Sequence, residues 1–130
     1  MNVMLVTTSY PLDSESSSGI FVKRLRDALS KYCYVEVVCP DDSSDKPVYE
    51  KGLCRSRYGF KRWQTLAHGP GGIPAAIRRD RRYLFLVPFL LLSMQISIFR
   101  RLPATDLIFA NWSMNAIVAW LPAWLFGKPI

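Results

Sequence analysis

Two short apolar runs, separated by one amphipathic segment, constrain this chain more than any other feature. The first run, Asn2–Val6, is continuous and apolar, which is typical of a parallel strand buried on both faces. The second run, Tyr34–Cys39, is rich in β-branched residues and is followed by Pro40. A helix is predicted to begin near Ile20, and its apolar face comprises Phe21, Leu25, Ala28, Leu29 and Tyr32.

Strand, loop, helix and strand within forty residues predict a βαβ unit with two parallel strands and a right-handed crossover. The polar loop Asp13–Ser18 then lies at the carboxyl end of the sheet, where open α/β sheets bind ligands. The predicted fold class is therefore α/β, a Rossmann-like parallel sheet with flanking helices.

The rest of the chain continues this pattern less regularly. A weak strand is predicted within Pro47–Arg57, and Thr105–Ala110 is predicted to be another buried strand. His68–Pro74 is predicted to be a loop, because glycine and proline dominate it. A helix is predicted from about Met114 to Phe126, kinked at Pro122 and capped by Gly127, and Lys128–Ile130 begins as a new strand would.

The formal charge of +7 and a pI near 9.6 favour an anionic partner: nucleic acid, an acidic membrane surface or a phosphorylated ligand. Nucleic acid is not predicted, because the sequence has no helix-turn-helix, zinc-finger or RNA-recognition signature. Cys33, Cys39 and Cys54 have no metal-ligand spacing, so no metal site is predicted. The N-terminus has no basic leader before its apolar run, and a cytoplasmic location is expected.

Tyr83–Phe99 has no charged residue, and arginines lie on both sides of it. Three interpretations stay open: a helix packed on the sheet, a monotopic helix lying in a membrane interface, and a spanning helix. In the monotopic interpretation four arginines would meet anionic headgroups at the inner face of the membrane; they are Arg78, Arg79, Arg81 and Arg82.

Several segments together resemble the family 4 glycosyltransferases, which have the GT-B fold. The similarity includes the first strand, the Tyr10-Pro11 turn, Gly19 before the helix, the helix core Arg24–Leu29 and the strand Val35–Pro40. Further on, Asp106–Ser113 is similar to a family segment that commonly reads Asp, two apolar residues, His, apolar, His, Trp. Gly127–Ile130 is similar to the turn into the family's next strand.

The resemblance implies retaining transfer of a sugar from a nucleotide-sugar donor to a polysaccharide or lipid-linked acceptor, with no obligatory metal or other cofactor. It implies that residues 1–130 are part of the N-terminal, acceptor-side domain. The C-terminal domain, which mainly binds the donor in this family, is not in the sequence. The chain alone is therefore expected to be inactive.

The resemblance also implies site residues. Gly19 and Ser18 would contact the donor diphosphate, since a helix N-terminus suits phosphate. Phe109 and Asn111 stand where the family often has histidines, and asparagine cannot act as a base near neutral pH, so the catalytic residue is unknown. The residues expected to contact the acceptor are Ser9, Tyr10, Asn111 and Trp112.

Two expectations do not depend on the resemblance. His68, the one histidine, is predicted to be a solvated loop residue. The alternative function is that of a small basic membrane-associated protein that works through residues 78–101.

Overall fold

A computed structural model describes residues 1–11, 18–42, 50–60, 64–68 and 71–130. The strands are β1 (Asn2–Val6), β2 (Tyr34–Pro40), β3 (Leu53–Ser56) and β4 (Leu107–Ala110). The helices are α1 (Ile20–Leu29), α2 (Gly72–Arg79), α3 (Leu86–Arg101) and α4 (Ser113–Phe126), and a 3-10 turn, Arg81–Phe85, leads into α3. A second 3-10 turn, Leu102–Ala104, follows α3.

The four strands form one parallel sheet in the order β3-β2-β1-β4. Val3 of β1 is paired with Val35 on one side and with Leu107 on the other. The predicted βαβ unit is confirmed, and so is the Rossmann-like α/β class. The weak strand predicted within Pro47–Arg57 is present as β3, although residues 43–49 lie outside the described part of the chain.

The sheet has a hydrophobic core on each face. On one face, α1 covers the odd-numbered positions of β1, with Val22 packed against Val3 and Leu5. On the other face, α3 and α4 cover the even-numbered positions, and Met4 and Val6 belong to the same cluster as the helix residues. Met4, Leu5 and Val6 are all 0 % exposed, which is why β1 has an uninterrupted apolar sequence.

The apolar face predicted for α1 is partly wrong. Val22 is fully buried and Leu25 and Leu29 are half-buried, but Phe21 is half-exposed and Tyr32 is almost fully exposed. The helix ends at Leu29, so Tyr32 is in the following turn and is not held against the sheet. Phe21 instead extends toward Trp112, beyond the end of β4.

The loop predicted for His68–Pro74 is also wrong in its second half. Gly71 has a φ of +80° and is the N-cap of α2, which begins at Gly72. Pro74 lies in the first turn of this helix. Backbone N–H groups in a first turn have no partner within the helix, so proline removes no helical hydrogen bond there. Residues 69–70 are outside the described ranges.

The buried strand predicted for Thr105–Ala110 is present as the shorter β4, and only part of it is buried. Ile108 is in the core, but Phe109 is 43 % exposed. Among the described strands β4 is at one edge of the sheet, so it has a neighbouring strand on one side only. The Ile108 N–H on its other side donates to the Pro129 carbonyl at 2.9 Å.

Helix α3 packs on the sheet through Leu90, Met94 and Ile98, which are fully buried at helical spacing. Its outer face is apolar as well, and Phe89, Leu92 and Ile96 are exposed there. By length and composition, Arg81–Ala104 is sufficient to cross a membrane, and 17 % of that apolar window is buried inside the protein. Because Leu90, Met94 and Ile98 are buried, the inner face of α3 agrees with the first interpretation of this segment, a helix packed on the sheet.

The predicted C-terminal helix is confirmed as α4, and Gly127, with a φ of +61°, is its C-cap. Pro122 lies inside the helix and is buried. The outer face of α4 carries large exposed side chains, and two of them, Trp120 and Trp124, stack with ring centroids 6.4 Å apart.

Candidate functional site at the carboxyl ends of β1 and β4

The boundary between β1 and β4 is the topological switch point of the sheet. From β1 the chain crosses over to β2 through α1 on one face, and it returns to the opposite side of β1 through α3 on the other face. The loops that follow β1 and β4 therefore leave the sheet in different directions. Open α/β sheets bind ligands in the space between such loops, which we call the crevice.

The chain leaves β1 through a turn held by Thr7. The hydroxyl of Thr7 donates to the Ser9 carbonyl at 3.0 Å and accepts from the Ser9 N–H at 3.1 Å. The Thr7 N–H donates to the Val38 carbonyl of β2 at 3.0 Å. Thr7 is fully buried and Ser9 is half-buried, so this turn is rigidly fixed to the end of the sheet.

Gly19 packs directly on this turn and begins α1. It has a φ of +74°, and a Cβ atom added to it would lie 2.5 Å from the Ser9 carbonyl oxygen. Glycine is required here for both reasons. The first turn of α1 contains no acidic residue, and the Ile20 and Phe21 N–H groups have no partner within the helix. The partial positive charge of such a helix end favours an anion. Residues 12–17, which include most of the predicted loop Asp13–Ser18, lie outside the described ranges.

Tyr10 is buried behind the turn. Its hydroxyl donates to Glu50 at 3.2 Å and accepts from Arg26 at 3.3 Å, and Arg26 also forms an ion pair with Glu50. Burial raises the pKa of Tyr10 to about 12. Tyr10 was predicted to contact the acceptor. It is only 2 % exposed, and its hydroxyl is already used in this hydrogen-bond network.

The chain leaves β4 at Asn111, whose N–H donates to the Val6 carbonyl of β1 at 2.9 Å. Trp112 follows with a φ of 75° and a ψ of 150°, a region that is strained for any residue except glycine. Its side chain is 62 % exposed. The ring meets that of Phe21 edge to face, with centroids 6.4 Å apart. This contact joins the N-termini of α1 and α4 across the crevice.

Asn115 lies in the first turn of α4 and was not predicted as a site residue. It is 0 % exposed, and its Nδ2 donates to the Asn111 carbonyl. Among the residues that the structure describes, neither Oδ1 of Asn115 nor Nδ2 of Asn111 has a hydrogen-bond partner, although both atoms are buried. Buried carboxamide atoms are normally paired, so this end of the crevice holds one unused acceptor and one unused donor.

His68 is held more tightly than a solvated loop residue, which corrects the sequence-based expectation. It is half-buried, and its Nε2 lies 3.3 Å from the Pro40 carbonyl at the end of β2. Burial lowers the pKa of His68, although the Pro40 carbonyl and Asp42 act in the opposite direction. The neutral ring therefore persists to lower pH than in a solvated histidine.

The remaining chemistry-bearing groups are outside the crevice. Burial raises the pKa of the Cys39 thiol to about 12, so this residue packs as a neutral hydrophobe. Within the described ranges, no group of three or more His, Cys, Asp or Glu side chains is arranged to hold a metal ion. The four predicted membrane-surface residues are all exposed, at the end of α2 and in the turn that follows it; they are Arg78, Arg79, Arg81 and Arg82.

No protein-family model matches this chain, and no curated protein has a matching sequence. The geometry of the crevice and the pattern of its residues are therefore the basis for assigning its role.

We predict that Gly19→Ala lowers the free energy of unfolding by roughly 2–4 kcal/mol, because it adds a steric clash to an unfavourable φ. The matched control is Gly127→Ala, which has a similar φ of +61° but nothing within 4 Å of the added Cβ atom. This control should cost only about 1 kcal/mol. Chemical denaturation measures both, and equal losses would show that the contact with Ser9 is unimportant.

A pH dependence follows from His68. The pKa of His68 is lower in the folded chain than in the unfolded chain, so the unfolded state binds the extra proton first as the pH falls. Its contribution to stability is therefore present at pH 7.5 and is lost below the unfolded pKa of about 6.5. The slope cannot exceed about 1.4 kcal/mol per pH unit for one proton. Denaturation between pH 7.5 and 5.5 should show this slope in the native sequence, and His68→Gln should flatten it.

Proposed function

We propose that this chain supplies the acceptor-side part of a retaining, GT-B type glycosyltransferase. Its donor would be a nucleotide sugar and its acceptor a glycan or lipid-linked glycan. The observation that supports the proposal is the Phe21–Trp112 contact at the switch point. It brings together the two motifs of the family resemblance, the glycine-initiated helix and the strand-end Asn-Trp, which are about ninety residues apart in sequence.

The α1 side of the crevice suits a diphosphate. The first-turn N–H groups are unused within the helix, and none of the side chains in that turn is acidic. In the proposal, Ser18 and Gly19 hold the donor diphosphate. Arg26 is already paired with Glu50, so in the proposal the backbone and the helix dipole supply most of the attraction.

The α4 side suits a sugar. Trp112 offers an exposed aromatic face, which is the surface that a sugar can reach directly. The unused donor of Asn111 and the unused acceptor of Asn115 are buried. Neither amide is a general base, so proton transfer needs a group from elsewhere. In the proposal the donor-binding domain supplies the other wall of the cleft, and the 130-residue chain alone binds without catalysing transfer.

Amide chemical-shift mapping with UDP and GDP as probes tests the phosphate position. Saturable shifts should concentrate at residues 18–21. Phe21→Asp puts a carboxylate in the first turn of α1 at a half-exposed position, and it should weaken binding by at least about fivefold through charge repulsion. Tyr32→Asp adds the same charge at an 88 % exposed position beyond the helix and serves as the control. Equal effects of the two variants would refute the phosphate position. Turnover of any nucleotide sugar by the isolated chain would refute the expectation that the chain alone is inactive.

A second candidate function, a basic protein that binds membrane surfaces through residues 78–101, is favoured by α3. The outer face of this helix exposes Phe89, Leu92 and Ile96, and exposed arginines precede the helix. A helix whose apolar outer face is flanked by cations is suited to lie in a lipid interface. This function is compatible with the first one, since a lipid-linked acceptor is found at a membrane.

Liposome co-sedimentation tests the membrane candidate. Replacing Arg78, Arg79, Arg81 and Arg82 with Ser should abolish binding to vesicles that contain anionic lipid, because each cation contributes about 1 kcal/mol near such a surface. The control removes four other charges of the same sign, by replacing Arg24, Lys31, Lys51 and Lys128 with Ser. Equal loss in both variants would indicate attraction by net charge alone and would contradict a defined membrane-binding face.

A further inference from the structure

A groove of about 580 Å³ lies between β3 and the outer side of α3, away from the crevice. We propose that this groove binds the headgroup of one anionic phospholipid while the exposed face of α3 contacts the acyl chains. The proposal goes beyond the transferase function and is independent of it. It rests on the second candidate function, membrane binding through residues 78–101.

One wall of the groove is a row of side chains along α3. Phe89, Leu92, Ile96 and Arg100 follow one another at intervals of three, four and four residues, which places them on one face of the helix. The first three are 61 %, 54 % and 42 % exposed. The row therefore changes from apolar to cationic over about 16 Å, at 1.5 Å per residue. Its polarity matches an amphiphile with an anionic head.

The cationic end of the groove contains two arginines with different roles. Arg101 is fixed in place, because its Nε donates to Glu36 at 2.7 Å and its Nη1 donates to the Ser97 carbonyl at 3.3 Å. A guanidinium group has five N–H donors, so others remain for a ligand. Arg100 is exposed and has no ion pair among the described residues. Arg55 and Arg57 also line the groove, and Arg57 pairs with Asp41 at 3.2 Å. Four cations and two carboxylates therefore leave a net positive charge for a phosphate group.

The floor of the groove is polar and well ordered. The hydroxyl of Ser56 on β3 donates to the hydroxyl of Ser97 on α3 at 2.8 Å. One helical turn earlier, the hydroxyl of Ser93 donates to the Arg57 carbonyl. These bonds join α3 to the edge strand, so the groove is held open by the fold and does not depend on its ligand for its shape.

The combination of groups selects the class of ligand. Inorganic phosphate would leave the apolar row without a contact, and a neutral lipid would leave the arginines without an anionic partner.

Binding of monomeric dihexanoyl phosphatidylglycerol, below its micellar concentration, tests the groove directly. Arg100→Gln should weaken this binding about fivefold or more, since one cation near a phosphate contributes on that order. Leu92→Ser should weaken it as well, and the exposed position of Leu92 makes the fold insensitive to the change. Arg24→Gln, which removes an exposed arginine from the opposite face of the sheet, is the control and should leave binding unchanged.

The outcomes separate this proposal from the others. Unchanged lipid binding in Arg100→Gln and Leu92→Ser would refute lipid binding in the groove. Membrane-surface binding would still be tested separately by the variant in which Arg78, Arg79, Arg81 and Arg82 are replaced with Ser. Equal affinity for inorganic phosphate and for the short-chain lipid would overturn the lipid assignment. If the native chain binds neither the lipid monomer nor vesicles of phosphatidylcholine with phosphatidylglycerol, both membrane proposals fail. The nucleotide titration is not affected by any of these results.

Discussion

The burial of β1 on both faces and both sides is the constraint on which the rest of this structure depends. Its backbone groups pair with β2 and β4, and its side chains are enclosed by α1 on one face and by α3 and α4 on the other. A strand enclosed in this way can contact a ligand only at its carboxyl end. Thr7, Gly19 and Asn111 surround that end, which explains why backbone contacts there are so close.

Helix α3 faces a different requirement, because both of its sides are apolar. The inner row of Leu90, Met94 and Ile98 is explained by the sheet. The outer row is not explained by any contact within the described part of the chain, and large exposed apolar patches mark interaction sites in many proteins. The serine hydrogen bonds that tie α3 to β3 make this outer face part of a rigid unit. The proposed crevice site and the proposed groove site thus belong to one sheet and are built by different elements.

Local sequence patterns predicted the features that depend on neighbouring residues. The βαβ unit, α4 and the cap at Gly127 follow from periodicity and from glycine conformation. Features that depend on distant partners were missed. A single asparagine in an apolar helix has the same sequence signal whether it is exposed or, like Asn115, fully buried. His68 is held by the carbonyl of Pro40, twenty-eight residues earlier, and no local pattern encodes that contact. Pro74 was misread because glycines around a helix start resemble a loop.

The stacked indoles of Trp120 and Trp124 give the molecule a spectroscopic signal of its own. Their planes are 16° apart on the exposed face of α4, and indoles held in a fixed arrangement contribute a near-ultraviolet circular dichroism band that is sensitive to their surroundings. Anything that covers α4 would alter this band and shift the tryptophan emission toward shorter wavelength. Assembly of this domain with a partner can therefore be followed without a label.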